Sequence, residues 1–280
     1  MTPVSIPRTV LVLALLALPA LASAHDFLLW PGDVEHDALA LRLLVHDGHA
    51  LGDERGFRRE HVSRFFAEDA HGQRELEGRE EGAPPFAQVS GLVPGGHWLA
   101  VDRVAIDIEL APQVFNGYLD HEGLDAALAE RQRRGEGDAP GRERYARHLK
   151  AFVQVGAEGD GVGCRRLRQE LEVVFHDDPA RFAVGRTVEV ELLELGSPVA
   201  DHPLDIWVEG DPDVHAHRVR TDGRGRARVT LRRPGRTVFR TVSMKRCEGC
   251  DAVDWTSRWT AATVDVAPMG SGAPRACPQG

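Results

Sequence analysis

The sequence predicts a mainly β protein made of two β-sandwich domains with a helical hairpin inserted between them. Apolar and polar residues alternate over short segments such as 106–110 and 188–192, which is the period of a half-buried strand. Turn residues separate these segments at intervals of roughly 8–12 residues, a spacing typical of sandwiches. Between the two groups of strands the apolar spacing becomes helical, which predicts the hairpin.

The chain opens with a segment typical of a cleaved signal peptide. Arg8 precedes an apolar run over residues 10–21, which is too short to span a bilayer comfortably. Ala22-Ser23-Ala24 forms the small-residue pattern of a cleavage site, and the residue after it is His25 rather than the cysteine of a lipoprotein. We therefore expect residues 1–24 to be removed, and a periplasmic protein without direct membrane insertion to begin at His25.

The charge of the chain argues against nucleic acid as a partner. The full sequence has 34 Lys and Arg against 43 Asp and Glu, a formal net charge of −9. Such an acidic protein is a poor ligand for phosphate backbones or anionic membrane surfaces, whereas it attracts cations.

Residues 25–158 are predicted to form the N-terminal β-rich domain. Strands are expected over 39–45, 97–101 and 106–110. Helical spacing over 116–133 and again over 142–153 predicts the helical hairpin at 115–153, with a Gly- and Pro-containing linker at 135–141. The glycine-rich segment 157–163 then marks a domain boundary.

Residues 165–267 are predicted to form the C-terminal β-sandwich. Alternation is clear over 171–175, 188–192, 204–208 and 227–231, and Asp222-Gly223 predicts a hairpin turn within 221–225. The tail over 268–280 is rich in Pro and Gly and is expected to be disordered.

Four cysteines fit an oxidising compartment. Cys247 and Cys250 form a C-x-x-C, but a second such motif, which a zinc ribbon needs, is absent. We expect a disulfide that is either local, between Cys247 and Cys250, or made to Cys164. The pairing among these three and Cys277 stays open.

His25 is the first candidate metal ligand. After cleavage it carries a free α-amino group beside its imidazole, and these two nitrogens can chelate one ion. His46 and His49, spaced across a turn, and His97, which opens a strand after a Gly-rich turn, are candidates for completing the site. A strand that simply starts at His25 and a polar turn at 46–49 are the alternative interpretations.

A separate candidate pair is His215 and His217, whose i, i+2 spacing on a strand points both rings to one face. An exposed edge strand would explain the pair equally well. Glu109 and Glu122 are interpreted as ion-pair members or as residues that support a site.

No pattern nominates an active site of a common enzyme class. The sequence has no G-x-S-x-G, no H-E-x-x-H and no phosphate-binding glycine loop. We expect a protein that is not an enzyme.

A set of ordered segments carries a family resemblance over most of the predicted mature chain. They are Ala24-His25-Asp26-Phe27, Glu77-Gly78-Arg79-Glu80, residues 108–115, 118–124, 134–136, 141–147 with Lys150, and 254–259. Together they resemble a periplasmic family of unknown function that is linked to nickel/cobalt ABC-type uptake. The C-terminal part also resembles the carboxypeptidase-regulatory or transthyretin-like sandwich, through Gly196-Ser197-Pro198 and residues 221–225. These likenesses imply immunoglobulin-like or transthyretin-like sandwiches.

The resemblance implies a metal-binding role, with nickel or cobalt as the ion and an ABC-type or energy-coupling membrane transporter as the partner. Copper and zinc also suit a site of nitrogen ligands. The chain departs from the family pattern at Ser243-Met244, where members often have a His-Met pair. Two other hypotheses stay open. One is a copper-dependent oxidative enzyme with a histidine brace at His25, and the other is a metal-free structural or interaction module.

Overall fold

The computed structural model describes residues 26–46, 51–79, 82–156, 159–213, 215, 217–269 and 277. Strands of the first half are β1 (Asp26–Pro31), β2 (Leu39–His46), β3 (Leu51–Arg55), β4 (Val62–Asp69), β5 (Gly72–Glu75), β6 (Ala87–Val89), β7 (Gly95–Arg103), β8 (Ile106–Leu110) and β9 (Gly141–Val155). Helices α1 (Pro112–His121) and α2 (Asp125–Arg133) lie between β8 and β9. Strands of the second half are β10 (Leu171–Phe175), β11 (Thr187–Glu194), β12 (Ser197–Pro198), β13 (Pro203–Val208), β14 (Arg218–Arg220), β15 (Arg226–Thr230), β16 (Gly235–Arg246) and β17 (Trp255–Val266).

The predicted mainly β class and the β-sandwich architecture are confirmed. A nine-stranded central sheet runs in the order β14-β13-β16-β17-β9-β7-β4-β5, with β8 also paired to β9. The pairing of β17 with β9 is parallel, and the other pairings of this sheet are antiparallel. Both predicted domain ranges contribute strands to this sheet, so the predicted boundary at 157–163 lies between strands of one layer.

Two smaller sheets cover the opposite faces of the central sheet. On β7, Leu99 packs with β1 and β2, whereas the neighbouring Trp98 packs with β10 and β11. Because successive strand residues point to opposite faces, the central sheet has an apolar core on each side. A third, smaller core packs the two helices against Val242, Trp255 and Trp259.

The prediction of a helix over 142–153 is wrong, because this segment is the central strand β9. Its apolar residues Tyr145, Leu149 and Phe152 have helical spacing, but β9 is buried on both faces. The polar residues that break its apolar run are also buried, and Lys150 pairs with Glu172 at 2.9 Å. A helical hairpin does exist, but it spans 112–133 rather than 115–153.

The predicted hairpin at Asp222-Gly223 is also wrong, although the turn itself is present. Strand β14 before the turn pairs with β13, whereas β15 after it pairs with β11. The turn therefore carries the chain from the central sheet to the sheet that covers it. Asp222 shapes this turn by accepting hydrogen bonds from the backbone N–H groups of Arg224 and Arg226.

Two disulfides connect the cysteines. Cys247 pairs with Cys250, the local alternative of the prediction, and Cys164 pairs with Cys277. The predicted signal peptide and most of the predicted disordered tail lie outside the described residues. Within the described ranges, neither helix is long and apolar enough to cross a membrane.

The ion pair between Arg142 and Asp254 supports a pH-dependent prediction. The guanidinium donates two hydrogen bonds, at 2.8 and 2.9 Å, which lower the pKa of the Asp254 carboxyl. We expect Asp254→Asn to reduce the free energy of unfolding at neutral pH by at most about 1 kcal/mol, because the pair is partly exposed.

The sign of the pH effect follows from the lowered pKa. The contribution of Asp254 is present above its unfolded pKa of about 4 and is lost as the pH falls through the lower folded value. In urea unfolding, the difference between wild type and Asp254→Asn should therefore shrink below about pH 4. A difference that stays constant down to about pH 2 would contradict this prediction.

Candidate metal site

Three potential metal ligands meet at the C-terminal end of α1. They are His121, the last residue of the helix, Glu122, which follows it, and His215, which precedes β14. One ligand atom of each residue lies within 4.8 Å of the other two. The two imidazole rings are 4.2 Å apart between centroids and meet edge to face at 81°.

Helix α1 places His121 and Glu122 at this point. Pro112 suits its first turn, and its buried face packs on strands β16 and β17 of the central sheet, where the Tyr118 ring stacks on Trp259 at 5.6 Å. The end of the helix is tied down by Arg218, whose Nη2 donates a hydrogen bond to the carbonyl of His121 at 3.2 Å. A cation at a helix C-terminus is electrostatically favourable.

Arg240 organises the charged groups beneath these ligands. Its guanidinium is almost fully buried and contacts three carboxylates. It donates hydrogen bonds to Glu122 at 2.7 Å and to Asp205 at 3.2 Å, and its Nε lies 2.9 Å from Asp26 Oδ2. The interpretation of Glu122 as an ion-pair member is thus confirmed, whereas Glu109 is exposed on β8.

Three buried carboxylates meet at the Arg240 guanidinium. Arg240 forms ion pairs with Asp26, Glu122 and Asp205, and Arg218 forms a second ion pair with Asp205. Burial raises the pKa of Asp26 to about 6, an effect that Arg240 opposes and Glu122 reinforces. A further cation at this place would relieve the repulsion among the carboxylates.

Asp205 fixes the tautomer of His215. Burial alone would raise the pKa of Asp205, but hydrogen bonds from His215 and Arg218 together with the charge of Arg240 lower it to about 2. Asp205 is therefore an ionised carboxylate at neutral pH and can only accept hydrogen bonds. Since its Oδ2 lies 2.8 Å from His215 Nδ1, we assign the proton to Nδ1.

Arg218 Nη2 also lies 2.6 Å from His215 Nδ1. Both protons of Nη2 have other acceptors, because Nη2 donates to Asp205 Oδ2 at 2.9 Å and to the carbonyl of His121. With the proton on Nδ1, the lone pair of His215 is on Nε2, which is buried without a hydrogen-bond partner among the described residues. A carboxylate that holds the second ring nitrogen in this way is typical of metal-binding histidines.

His121 is also suited to donate a lone pair. Partial burial and the nearby His215 ring lower the pKa of His121 below its usual value. Two imidazole nitrogens and one carboxylate oxygen form a donor set that suits nickel, cobalt, copper or zinc.

The candidates from the sequence lie at different places. His25 and His49 are outside the described residues. His46 is paired in register with Asp26 and is buried with its ring 4.6 Å from that of Trp207, so it lies beside the cluster without belonging to the three-residue group. Directly opposed residues share one face of a sheet, so His46 and Asp26 both face the central sheet.

His97 and His217 lie elsewhere. His97 is fully buried on β7, with Nε2 2.7 Å from the carbonyl of Val93 and Nδ1 3.8 Å from Asp69. The prediction that His215 and His217 share one strand face is wrong, because β14 begins only at Arg218. His217 lines a separate cavity of about 150 Å³ with Arg232.

His121 was not among the sequence candidates. It lies in the segment 118–124 that carries the resemblance, and it follows the apolar stripe of α1. A His-Glu pair at the end of an amphipathic helix was the available signal. The partner His215 is 94 residues further along the chain, and only the fold brings the two together.

Comparison with known proteins shows the family but no characterised relative. No curated protein matches the chain. The model of the family described as "Domain of unknown function (DUF4198)" matches residues 22–245, which is most of the sequence. The chain therefore belongs to the DUF4198 family.

Proposed function

We propose that this protein is a periplasmic transition-metal-binding protein that serves nickel or cobalt uptake. His121, Glu122 and His215 form the metal site in this proposal, and His25 with its α-amino group supplies further nitrogen ligands. The ABC-type or energy-coupling transporter that would receive the ion is part of the proposal, and the family resemblance supports it. Copper and zinc also fit the donor set.

The observation that carries the proposal is the free Nε2 of His215. A buried nitrogen without a hydrogen-bond partner costs free energy, which a bound metal ion would recover. Asp205 holds the ring in the tautomer that leaves this lone pair available to a metal ion. The close approach of Asp26, Glu122 and Asp205 to one another favours a cation at the same place.

His25 enters the proposal through its position in the chain. It directly precedes Asp26, whose carboxylate contacts Arg240, and Arg240 contacts Glu122. Cleavage after Ala24 would create an amine on the residue next to this network. An amine and an imidazole of one residue form a chelate that needs no other part of the chain.

The proposal predicts a loss of metal affinity when either histidine of the group is removed. In calorimetric titration of protein that begins at His25, we expect His121→Ala and His215→Ala each to weaken nickel or cobalt binding by about tenfold or more. His217→Ala is the matched control, because His217 is only two positions from His215 in the sequence but its ring lines a different cavity. The affinity of this variant for nickel or cobalt should equal that of the wild type.

A second arm tests His25. One extra N-terminal Gly moves the free amine away from the His25 ring, and we expect it also to weaken binding. If the extra Gly leaves the metal affinity unchanged but His121→Ala weakens it, His25 is not a ligand of this site. If neither His121→Ala nor His215→Ala weakens metal binding, the proposed site is wrong.

A further inference from the structure

A cavity opens between the central sheet and the sheet of β1, β2, β3 and β6. Its volume is about 340 Å³, and residues of β1, β2, β3 and β4 and the end of β7 border it. This volume is in the range of small-molecule binding sites. Its apolar lining consists of side chains that belong to the core on this side of the central sheet or pack against it, namely Phe27, Leu43, Val62 and Phe86. The cavity can therefore hold the apolar part of a ligand.

Arg103 gives this cavity a positive charge that has no partner. Its guanidinium lies over the Phe27 ring, 4.5 Å from the ring centroid. Among the described residues it forms no ion pair, and its Nη1 is buried without a hydrogen-bond partner. Burial and the nearby Arg147 lower the pKa of Arg103 to about 10, so the guanidinium remains charged at neutral pH. A guanidinium with unused donors favours a carboxylate ligand.

Glu54 gives the same cavity an unpaired carboxylate. Its Oε1 is buried without a hydrogen-bond partner, and the side chain forms no ion pair with any described residue, Arg103 included. Glu54 is also not among the charged groups that shift the pKa of Arg103. The two unpaired charges are therefore separated within the cavity. A carboxylate can only accept hydrogen bonds, so Glu54 favours a cationic donor such as an ammonium group.

Two further arginines border the cavity, but both have partners. Arg55 Nη2 lies 3.4 Å from Asp53, and Arg58 Nη1 lies 3.7 Å from Glu60. All four side chains are more than half exposed, so water and their partners already screen these charges. We therefore expect them to contribute little to the affinity for a ligand.

We propose that this cavity binds a small zwitterion whose carboxylate and ammonium groups are separated by an apolar segment. The carboxylate accepts hydrogen bonds from Arg103, the ammonium group donates to Glu54, and the apolar segment packs on Phe27 and Phe86. A ligand with only one of the two charges leaves the other protein group unpaired, which costs free energy. The cavity shares no lining residue with the proposed metal site, so this inference does not depend on the proposed function.

The first test is calorimetric titration of the full wild-type protein with ε-aminocaproate, which has the two charged groups at opposite ends of a methylene chain. Caproate lacks the ammonium group, and hexylamine lacks the carboxylate. We expect saturable binding of ε-aminocaproate, and binding of each of the other two that is weaker by about tenfold or more. Because this comparison changes only the ligand, it does not require any variant to fold.

Two variants then identify which protein group binds each end of the ligand. In Arg103→Gln the carboxylate has lost its partner, so ε-aminocaproate and hexylamine should bind with similar affinity. In Glu54→Gln the ammonium group has lost its partner, so ε-aminocaproate and caproate should bind with similar affinity. Arg58→Gln is the matched control, because Arg58 borders the same cavity but is exposed and paired, and it should change the affinities little.

Four outcomes would overturn the proposal. The wild type could bind none of the three probes, or it could bind all three equally, which would show that the charges take no part. Arg58→Gln could weaken binding of ε-aminocaproate as much as Arg103→Gln does. Finally, leucine could bind more tightly than ε-aminocaproate. Since both charged groups of leucine are attached to one carbon atom, that result would contradict a site with separated charges.

Discussion

Replacing Arg240 by Met should lower the free energy of unfolding by about 3–5 kcal/mol, the usual cost of removing one partner from a buried ion pair. The Arg240 guanidinium is the common partner of Asp26, Glu122 and Asp205. Methionine fills part of the volume but leaves three buried carboxylates without the guanidinium that contacts all of them. Their repulsion and their lost hydrogen bonds both destabilise the fold.

Urea unfolding of the two single variants Arg240→Met and Arg226→Met compares the losses in the free energy of unfolding. Arg226 pairs with Glu189 at the surface, where both side chains are more than a third exposed, so its loss should cost less than about 1 kcal/mol. The same type of substitution then differs only in burial and in the number of carboxylates. Equal losses for the two variants would show that the buried network adds no stability.

Removing the disulfide between Cys164 and Cys277 should cost about 5 kcal/mol. Its cysteines are 113 residues apart, whereas Cys247 and Cys250 are separated by only three. In the chain-entropy model a disulfide stabilises by restricting the unfolded chain, and the effect grows with the loop that it closes. Substituting both members of the short pair by Ser should therefore cost only about 2 kcal/mol.

Thermal unfolding of the two double variants, Cys164→Ser with Cys277→Ser and Cys247→Ser with Cys250→Ser, provides the comparison. The long-range variant should have the lower Tm. The Cys164–Cys277 link also anchors Cys277 beside β10, where its backbone N–H donates a hydrogen bond to the carbonyl of His176 at 2.9 Å. If the short pair proves the more important, local structure of the 247–250 turn rather than loop entropy controls stability.

Strand alternation made much of the fold predictable, and burial explains where it failed. Strands β8, β10, β11 and β13 lie where the two-residue period placed them. Strand β9 was missed because both of its faces are covered and its buried polar residues imitate a helical pattern. The pairing of β14 and β15 was missed because a turn motif specifies a local bend but not the sheets that its flanking strands join.

The candidate site was less predictable because it is assembled from distant parts of the chain. His215 was named, but its partner was not His217 on the same segment. The partners are His121 and Glu122 at the C-terminal end of α1 and Asp205 from β13. Only the sheet order, which places β13 beside β16 and thus beside Arg240, determines this arrangement. A search for local sequence motifs cannot detect a site whose residues are far apart in the sequence.

The parallel pairing of β9 with β17 has a kinetic consequence. Strand β17 is near the end of the chain, yet it lies in the middle of the central sheet, between β16 and β9. Pairing Trp255 with Glu143 closes a loop of more than a hundred residues. The entropy cost of closing this loop comes before the two strands can stabilise each other. The protein should therefore be a slow folder of high contact order, and a chain that stops before Trp255 would expose two unpaired sheet edges to aggregation.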